Sequence, residues 1–359
     1  MGSANSAILL GRTERLFSAG EALKSQHTRA AGLTAARGPV TVGSIPVEEP
    51  GTGEVLVKME ACGLCHSDLF VSSLEKLPLL PLTLGHEGIG RIVELGAGVS
   101  GFAIGDRMGV TFLASTCGVC ELCLAGSERF CPRQLNFGYT VQGVLAGHAV
   151  VPVPCLVRVP DTLAAEEAAP LCCAGWTAYG ALREAGLHPG QSVALFGMGG
   201  LGHLAIQYAR HLGLRVAAVD VAESKLEMAR ELGADLTLLA ESAGRALQKQ
   251  WGGADAAVVL TGSPAAIQQA FRALKRTGTL ITAGLSTNQY ELPIVDTVLK
   301  GVSIRGSYLG TRADLAEVFR LAQSGVGRAH VETHALDEAP QLFEKMRRGE
   351  ILGRAVVAF

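Results

Sequence analysis

Aromatic side chains are scarce in this chain. Phe, Trp and Tyr make up 5% of its 359 residues, with two Trp and five Tyr. That speaks against a surface built to stack nucleobases. An excess of one charge sign is missing too. Thirty-one basic residues face 33 acidic ones, for a formal net charge of −2. There is no basic stripe, so nucleic acid is not expected as a partner. No apolar run approaches the ~18 residues a membrane helix needs, so no membrane partner is expected either. Glycine (45) and apolar residues (48%) are abundant instead, as in a globular α/β protein. At ~150 residues per domain, two domains are expected. Nine cysteines are present, an odd number that rules out complete pairing within the chain. In a long chain without a secretory signal, clustered cysteines more often bind metal or do chemistry than form a disulfide scaffold.

Residues 1–28 stand apart. They are Ser/Ala-rich, and the apolar Ile8-Leu9-Leu10 has no basic segment ahead of it. They are read as an extension rather than a signal peptide, with organellar targeting left open and a cytoplasmic location expected. From about Arg29 the texture is β. Val55, Val57 and Met59 alternate with Leu56, Lys58 and Glu60 as in a half-buried strand. Short apolar runs follow at 88–95, 105–110 and 147–159, spaced as in a compact β body. The Ala-rich stretch 164–179 reads as a helix. From Gln191 strands and helices alternate: 192–196, 200–212, 215–219, 223–232, 255–260, 265–274 and 279–283. That alternation predicts parallel βαβ units. Helices over 314–323 and 338–347 and a strand over 354–359 complete the chain.

Gly197-Met198-Gly199-Gly200-Leu201-Gly202 fits G-x-G-x-x-G between an expected strand and an expected helix. Gly197 permits the turn, Gly199 lets backbone approach a pyrophosphate, and Gly202 lets helix and strand pack closely. The helix N-terminus offers free N–H groups to the phosphates. Asp220 ends the next strand, where its carboxylate can accept both adenosine ribose hydroxyls and would repel a 2′-phosphate. NAD is therefore expected over NADP.

Cys117-x2-Cys120-x2-Cys123-x7-Cys131 offers four thiolates within 15 residues. Such a set can close a tetrahedral structural zinc site, and an iron–sulfur cluster is the rival reading. Cys65-His66-Ser67-Asp68, Gly85-His86-Glu87-Gly88 and Cys172-Cys173 are dispersed. One cysteine, one histidine and a second cysteine from them would make the Cys₂His set of a catalytic zinc with an open fourth position. Cys62-Gly63-Leu64-Cys65-His66 also matches the c-type haem pattern, which belongs to exported proteins and is discounted.

Together these motifs resemble the zinc-dependent medium-chain alcohol dehydrogenases, in the short yeast-type and bacterial branch. Ala169-Pro170-Leu171-Cys172-Cys173-Ala174-Gly175 and Gly306–Asp314 add to the resemblance, which runs from about Arg29 to Phe359. It implies an α/β fold with a GroES-like β-barrel catalytic domain plus a Rossmann doubly wound parallel sheet. The expected boundaries are 29–174 for the catalytic domain (zinc lobe 112–132), 175–308 for the Rossmann domain, and 309–359 for a return to the first. It implies two zincs per chain: a catalytic one on Cys65, His86 and Cys173, and a structural one on Cys117, Cys120, Cys123 and Cys131. Asp68 would orient His86, and Glu87 would sit behind the metal. Ser67 would accept the alcohol proton. Thr177 would pack on the nicotinamide ring. His66 and Arg354 match pyrophosphate contacts, Lys225 matches a position near the ribose, and Gly200 and Leu201 belong to the fingerprint. The expected reaction is oxidation of primary alcohols to aldehydes, and the reverse, by a homo-oligomer, with a tetramer implied by the branch.

The chain departs from the family at several positions. The family's relay histidine is replaced by Phe70, which cannot carry a proton. Two tryptophan positions of yeast-type ethanol enzymes are Ser72 and Phe112, which would enlarge the pocket and favour medium-chain or aromatic alcohols over ethanol. Val141–His148 lacks the family's usual aromatic and acidic residues. Three alternatives stand beside this reading. A polyol dehydrogenase is opposed by Cys173, since those relatives often carry glutamate there. A cinnamyl-type NADP enzyme is opposed by Asp220. A zinc- and nucleotide-binding redox sensor would use Cys62, Cys155 or Cys172.

Overall fold

The computed structural model describes residues 26–359. The expected extension thus lies outside the described residues up to 25. Its last two positions, His27 and Thr28, already belong to the strand His27–Leu33, where Thr28 pairs with Ile45. The chain divides into two units. One holds the residues up to Cys173 together with Val331–Phe359, and the other is Ala174–His330.

In the first unit, Glu54–Gly63 is the hub of a seven-stranded sheet. It pairs antiparallel with Glu87–Leu95, His148–Pro152 and Arg354–Ala358, and Val331–Ala335 closes one edge. The alternation of Val55, Val57 and Met59 foretells the core face. Leu56 is buried as well, on the other face, where it lines a cavity with Ile45, Pro46 and Val150. A three-stranded sheet in the order Thr41–Pro46, His27–Leu33, Leu82–Thr83 and a two-stranded lobe ladder, Leu113–Ser115 with Leu135–Asn136, complete the unit. Its core gathers Val57, Met59, Ile92, Met108, Leu342 and Phe343.

The helix expected over 164–179 is broken. Pro170 has no amide to donate, and the chain runs Ala165–Ala168, a 3₁₀ turn Ala169–Cys172, then the helix Ala174–Ala185. Cys173 sits at the break with φ −131° and ψ −66°.

The second unit carries six parallel strands in the order Leu236–Leu239, Arg215–Asp220, Ser192–Phe196, Ala254–Val259, Leu274–Thr282, Ser303–Gly306. That is the 3-2-1-4-5-6 order of a doubly wound dinucleotide fold. Helices such as Gly202–His211 and Pro264–Ala273 bury their apolar stripes on it, with Phe271 in its core. This unit continues past the expected boundary at 308. The helix Arg312–Gln323 stays with it, because Trp176 Nε1 donates to the Thr311 carbonyl at 2.7 Å and Gly180 packs against Leu309 backbone.

Candidate active site

Cys65 is the N-cap of the helix His66–Ser73. Its sulfur accepts the Ser67 amide, and its own amide donates to Asp68 Oδ2 at 2.9 Å, closing a capping box. Asp68 Oδ1 accepts the Gly85 amide at 3.2 Å and lies 3.1 Å from His86 Nδ1. One buried carboxylate thus fixes the helix start and the imidazole together. The proton it faces resides on Nδ1, which turns the Nε2 lone pair inward. Nε2 is buried and has no hydrogen-bond partner. Cys173 brings its sulfur 3.9 Å from that of Cys65. The ligating atoms of Cys65, His86, Glu87 and Cys173 all lie within 4.8 Å of one another. The neighbouring Cys172 points elsewhere, with its thiol on the Gly88 carbonyl at 3.7 Å.

The electrostatics suit a cation. The hydrogen bond from Cys173 holds the Cys65 thiol well below its ordinary value, and the same bond pushes Cys173 well above. Burial opposes charge on His86, but Asp68 and Cys65 outweigh it and raise the ring's affinity for a positive charge at Nε2, a proton or a metal ion alike. Burial pushes Glu87 up to about 8, against the pull of Arg354. Arg354 is 3% exposed and its guanidinium donates to Glu87 Oε1. Glu87 Oε2 and Arg354 Nε have no partner. Arg354 was expected at a pyrophosphate, and in the structure its partner is this carboxylate. Sequence reasoning could not see the pair, whose members are 267 residues apart.

Of the remaining first-unit residues, Ser67 Oγ lies 3.6 Å from the Cys65 sulfur, and His66 is exposed at the start of the helix. Phe112 stands edge-on to the His86 ring, centroids 5.0 Å apart. Ser72 departs from expectation. It is 2% exposed, donates to the Leu69 carbonyl at 2.8 Å and accepts from Arg347 at 3.3 Å. It therefore packs toward the helix Ala339–Arg347 instead of widening a pocket.

In the lobe, the sulfurs of Cys117, Cys120, Cys123 and Cys131 all lie within 4.8 Å of one another, and four of the pairs stand 3.5 to 3.9 Å apart. Four Zn–S bonds of ~2.3 Å at tetrahedral angles put sulfurs ~3.8 Å apart. Cluster cysteines, spread over separate irons, need wider spacing. The Val119 amide, beside others, draws Cys117 down to about 5, while burial lifts Cys123 to about 11.

In the second unit, Gly197 has φ +99°, and a Cβ on Gly202 would stand 2.2 Å from the Gly197 carbonyl oxygen. Only glycine allows that approach. A Cβ on Gly199 would meet nothing, so its backbone is open to a ligand. Asp220 accepts the amides of Met198, Val221 and Ala222 at 2.6, 2.8 and 3.0 Å. A carboxylate has about four acceptor directions, so about one is left where both ribose hydroxyls were expected. Gly200 and Leu201 complete the turn before the helix, Lys225 lies in the helix Glu223–Glu231, and Thr177 is buried in Ala174–Ala185.

Residues 51–161 match the family model of the alcohol dehydrogenase GroES-like domain, and residues 200–324 that of zinc-binding dehydrogenase. An alcohol dehydrogenase of Geobacillus stearothermophilus is 46% identical over 312 residues, 85% of this chain and 91% of the relative. The alcohol dehydrogenase of Aeropyrum pernix superposes with a TM-score of 0.86 at 34% identity, covering 92% of this chain and 100% of that one. The acetophenone reductase of Geotrichum candidum, solved with NAD, gives 0.84 at 31% identity, with 95% and 99% covered.

Proposed function

The chain belongs to the zinc-dependent medium-chain alcohol dehydrogenase family, and on that premise we propose an NAD-dependent oxidation of primary alcohols to aldehydes, and its reversal, with two zincs per chain. The observation that carries the reading is the buried Cys65–His86–Cys173 set, with the unpartnered His86 Nε2 aimed into it. The donor set suits a catalytic zinc with one open position, and the lobe sulfurs suit a structural one. Zinc and NAD would supply Lewis-acid polarisation of the substrate oxygen and a hydride acceptor.

The protein's own groups do the rest. Asp68 keeps the Nδ1 proton of His86, so Nε2 stays a donor of electrons. Cys173, as a thiolate, would be one of the groups that hold the dication. Ser67 Oγ takes the alcohol proton. Phe70 offers no onward carrier, and a bound nucleotide's ribose hydroxyl and water would supply one. Asp220 would take a ribose hydroxyl with its remaining acceptor direction, and a 2′-phosphate there would face a carboxylate. The Gly197–Gly202 turn holds the pyrophosphate. Phe112 beside His86 supports a preference for medium-chain or aromatic alcohols over ethanol. A second copy of this chain would cover the helix Ile294–Lys300, where Ile294, Val295, Val298 and Leu299 are each at least 65% exposed beside the edge strand Ser303–Gly306.

The test is NADH formation by zinc-replete protein on ethanol, hexanol, benzyl alcohol and cinnamyl alcohol, with NAD⁺ and NADP⁺ in parallel. The expected result is NAD⁺-dependent turnover, with benzyl or cinnamyl alcohol ahead of ethanol in kcat/KM. Preference for NADP⁺ would overturn the cofactor reading, and ethanol in first place would overturn the substrate reading.

A further inference from the structure

One buried histidine has no part in the chemistry above. His203 follows Gly202 in the first turn of the helix Gly202–His211 and is 1% exposed. Both its ring nitrogens are engaged. Nδ1 lies 3.0 Å from the Gly199 carbonyl, and Nε2 lies 3.2 Å from the His330 backbone nitrogen. A carbonyl only accepts and a backbone amide only donates. The ring that serves both is neutral, with its proton on Nδ1.

One turn further on, Gln207 grips the same segment. Its Oε1 accepts from the Gly327 and Arg328 amides at 3.2 and 3.0 Å, and its Nε2 donates to the Arg328 carbonyl at 2.9 Å. Side chains of the fingerprint helix thus fasten residues 327–330, the last of the second unit. The next residue, Val331, opens the strand Val331–Ala335 and stands in register with Arg354, the partner of Glu87.

We propose that His203 is a positioning residue that couples nucleotide binding at the Gly197–Gly202 turn to the crossover at His330–Val331. The inference rests on the nucleotide reading above. A pyrophosphate against the Gly199 backbone fixes that peptide plane and its carbonyl. The fixed carbonyl holds the ring, and the ring holds the His330 amide. By linkage, a crossover held in this arrangement favours nucleotide binding in return. Spatial succession alone is no proof of coupling, so the test reads the coupling itself.

Hydrogen exchange on the full zinc-replete chain, with and without NADH, compares wild type with H203N, H203Q and H203L. Asn can keep a donor near the Nδ1 position and its bond to Gly199, and Gln can keep an acceptor toward His330. In the wild type NADH is expected to slow exchange at both 199–203 and 330–335. In H203N the protection stays at the turn, and in all three variants it disappears from 330–335. Loss of one hydrogen bond is expected to weaken NADH binding about 3- to 10-fold, and kcat should move less than KM for NAD⁺. Variants with wild-type melting temperature and undiminished NADH protection at 330–335 would overturn the inference. Should H203L fail to fold, H203N and H203Q decide. Wild type that binds no NADH sinks the functional reading and the inference together. Wild type that binds NADH without protection at 330–335 sinks the inference alone.

Discussion

Asp68 caps a helix with one oxygen and holds His86 and the Gly85 amide with the other. Asp68→Asn keeps the shape and a cap acceptor but removes the charge that steadies the Nδ1 proton. Affinity of the Cys65–His86–Cys173 set for zinc is expected to fall about 10- to 100-fold, with the lobe unaffected. Dialysis against a mild chelator, followed by metal analysis, should then remove one zinc of the two. Phe112 and Ser72 separate by their surroundings. Phe112→Trp adds bulk beside His86 and should lower kcat/KM for benzyl alcohol relative to ethanol, with little change in melting temperature. Ser72→Trp drives a ring into packed side chains and should cost about 1–3 kcal/mol of stability, read by urea unfolding. If instead it changed selectivity and left stability intact, the assignment of Ser72 to packing would be wrong. The ligand types were legible because short spacings such as Cys117-x2-Cys120 encode them directly. Where Ser72 and Arg354 point was not, since each is set by a residue far away in sequence, Arg347 and Glu87.

At the scale of elements, the strands that sequence reading missed include Leu236–Leu239, Ser303–Gly306 and Val331–Ala335. Each lies at the edge of its sheet. An edge strand buries little, so its sequence carries no apolar period to detect, whereas the fully buried Ser192–Phe196 was found to the residue. Three central strands are also tied by charge. Asp255 accepts from the Ser192 amide and hydroxyl at 2.8 and 2.6 Å, and from Lys275 at 2.9 Å. Burial alone would raise this carboxyl, but the Ser192 bonds and then Lys275 outweigh it and hold it below its ordinary value of 3.8. The native state therefore binds fewer protons here than the unfolded chain. The stabilisation is complete above that ordinary value and is lost as pH falls below it. Asp255→Asn should cost roughly 1 kcal/mol at neutral pH, allowing for solvent screening. In urea titrations over a pH series, the gap to wild type should close as pH drops below about 4. A gap constant with pH would mean that packing, and not charge, ties these strands.

At the scale of the molecule, the helix Ile294–Lys300 and its neighbouring edge strand bear on assembly. Val298→Glu sets a charge in the middle of the exposed apolar face and should shift light-scattering mass toward smaller species, with zinc content unchanged. An unaltered mass would remove this face from the interface. The division of the chain matters in time as well as in space. Residues 174–330 are contiguous, whereas the first unit needs both ends of the chain. Glu87 leaves the ribosome 267 residues before Arg354, a wait of roughly 13–53 s at ~5–20 residues per second. The strand Glu54–Gly63 also lacks its partner at 61–63 until Arg354–Ala358 arrives, so the thiol-bearing half stays ajar until the final strand emerges. The newborn chain accordingly matures from its middle outward. A messenger truncated between codons 330 and 354 would release a finished nucleotide-binding half joined to an unsealed remainder, the kind of product that chaperones and proteases sort.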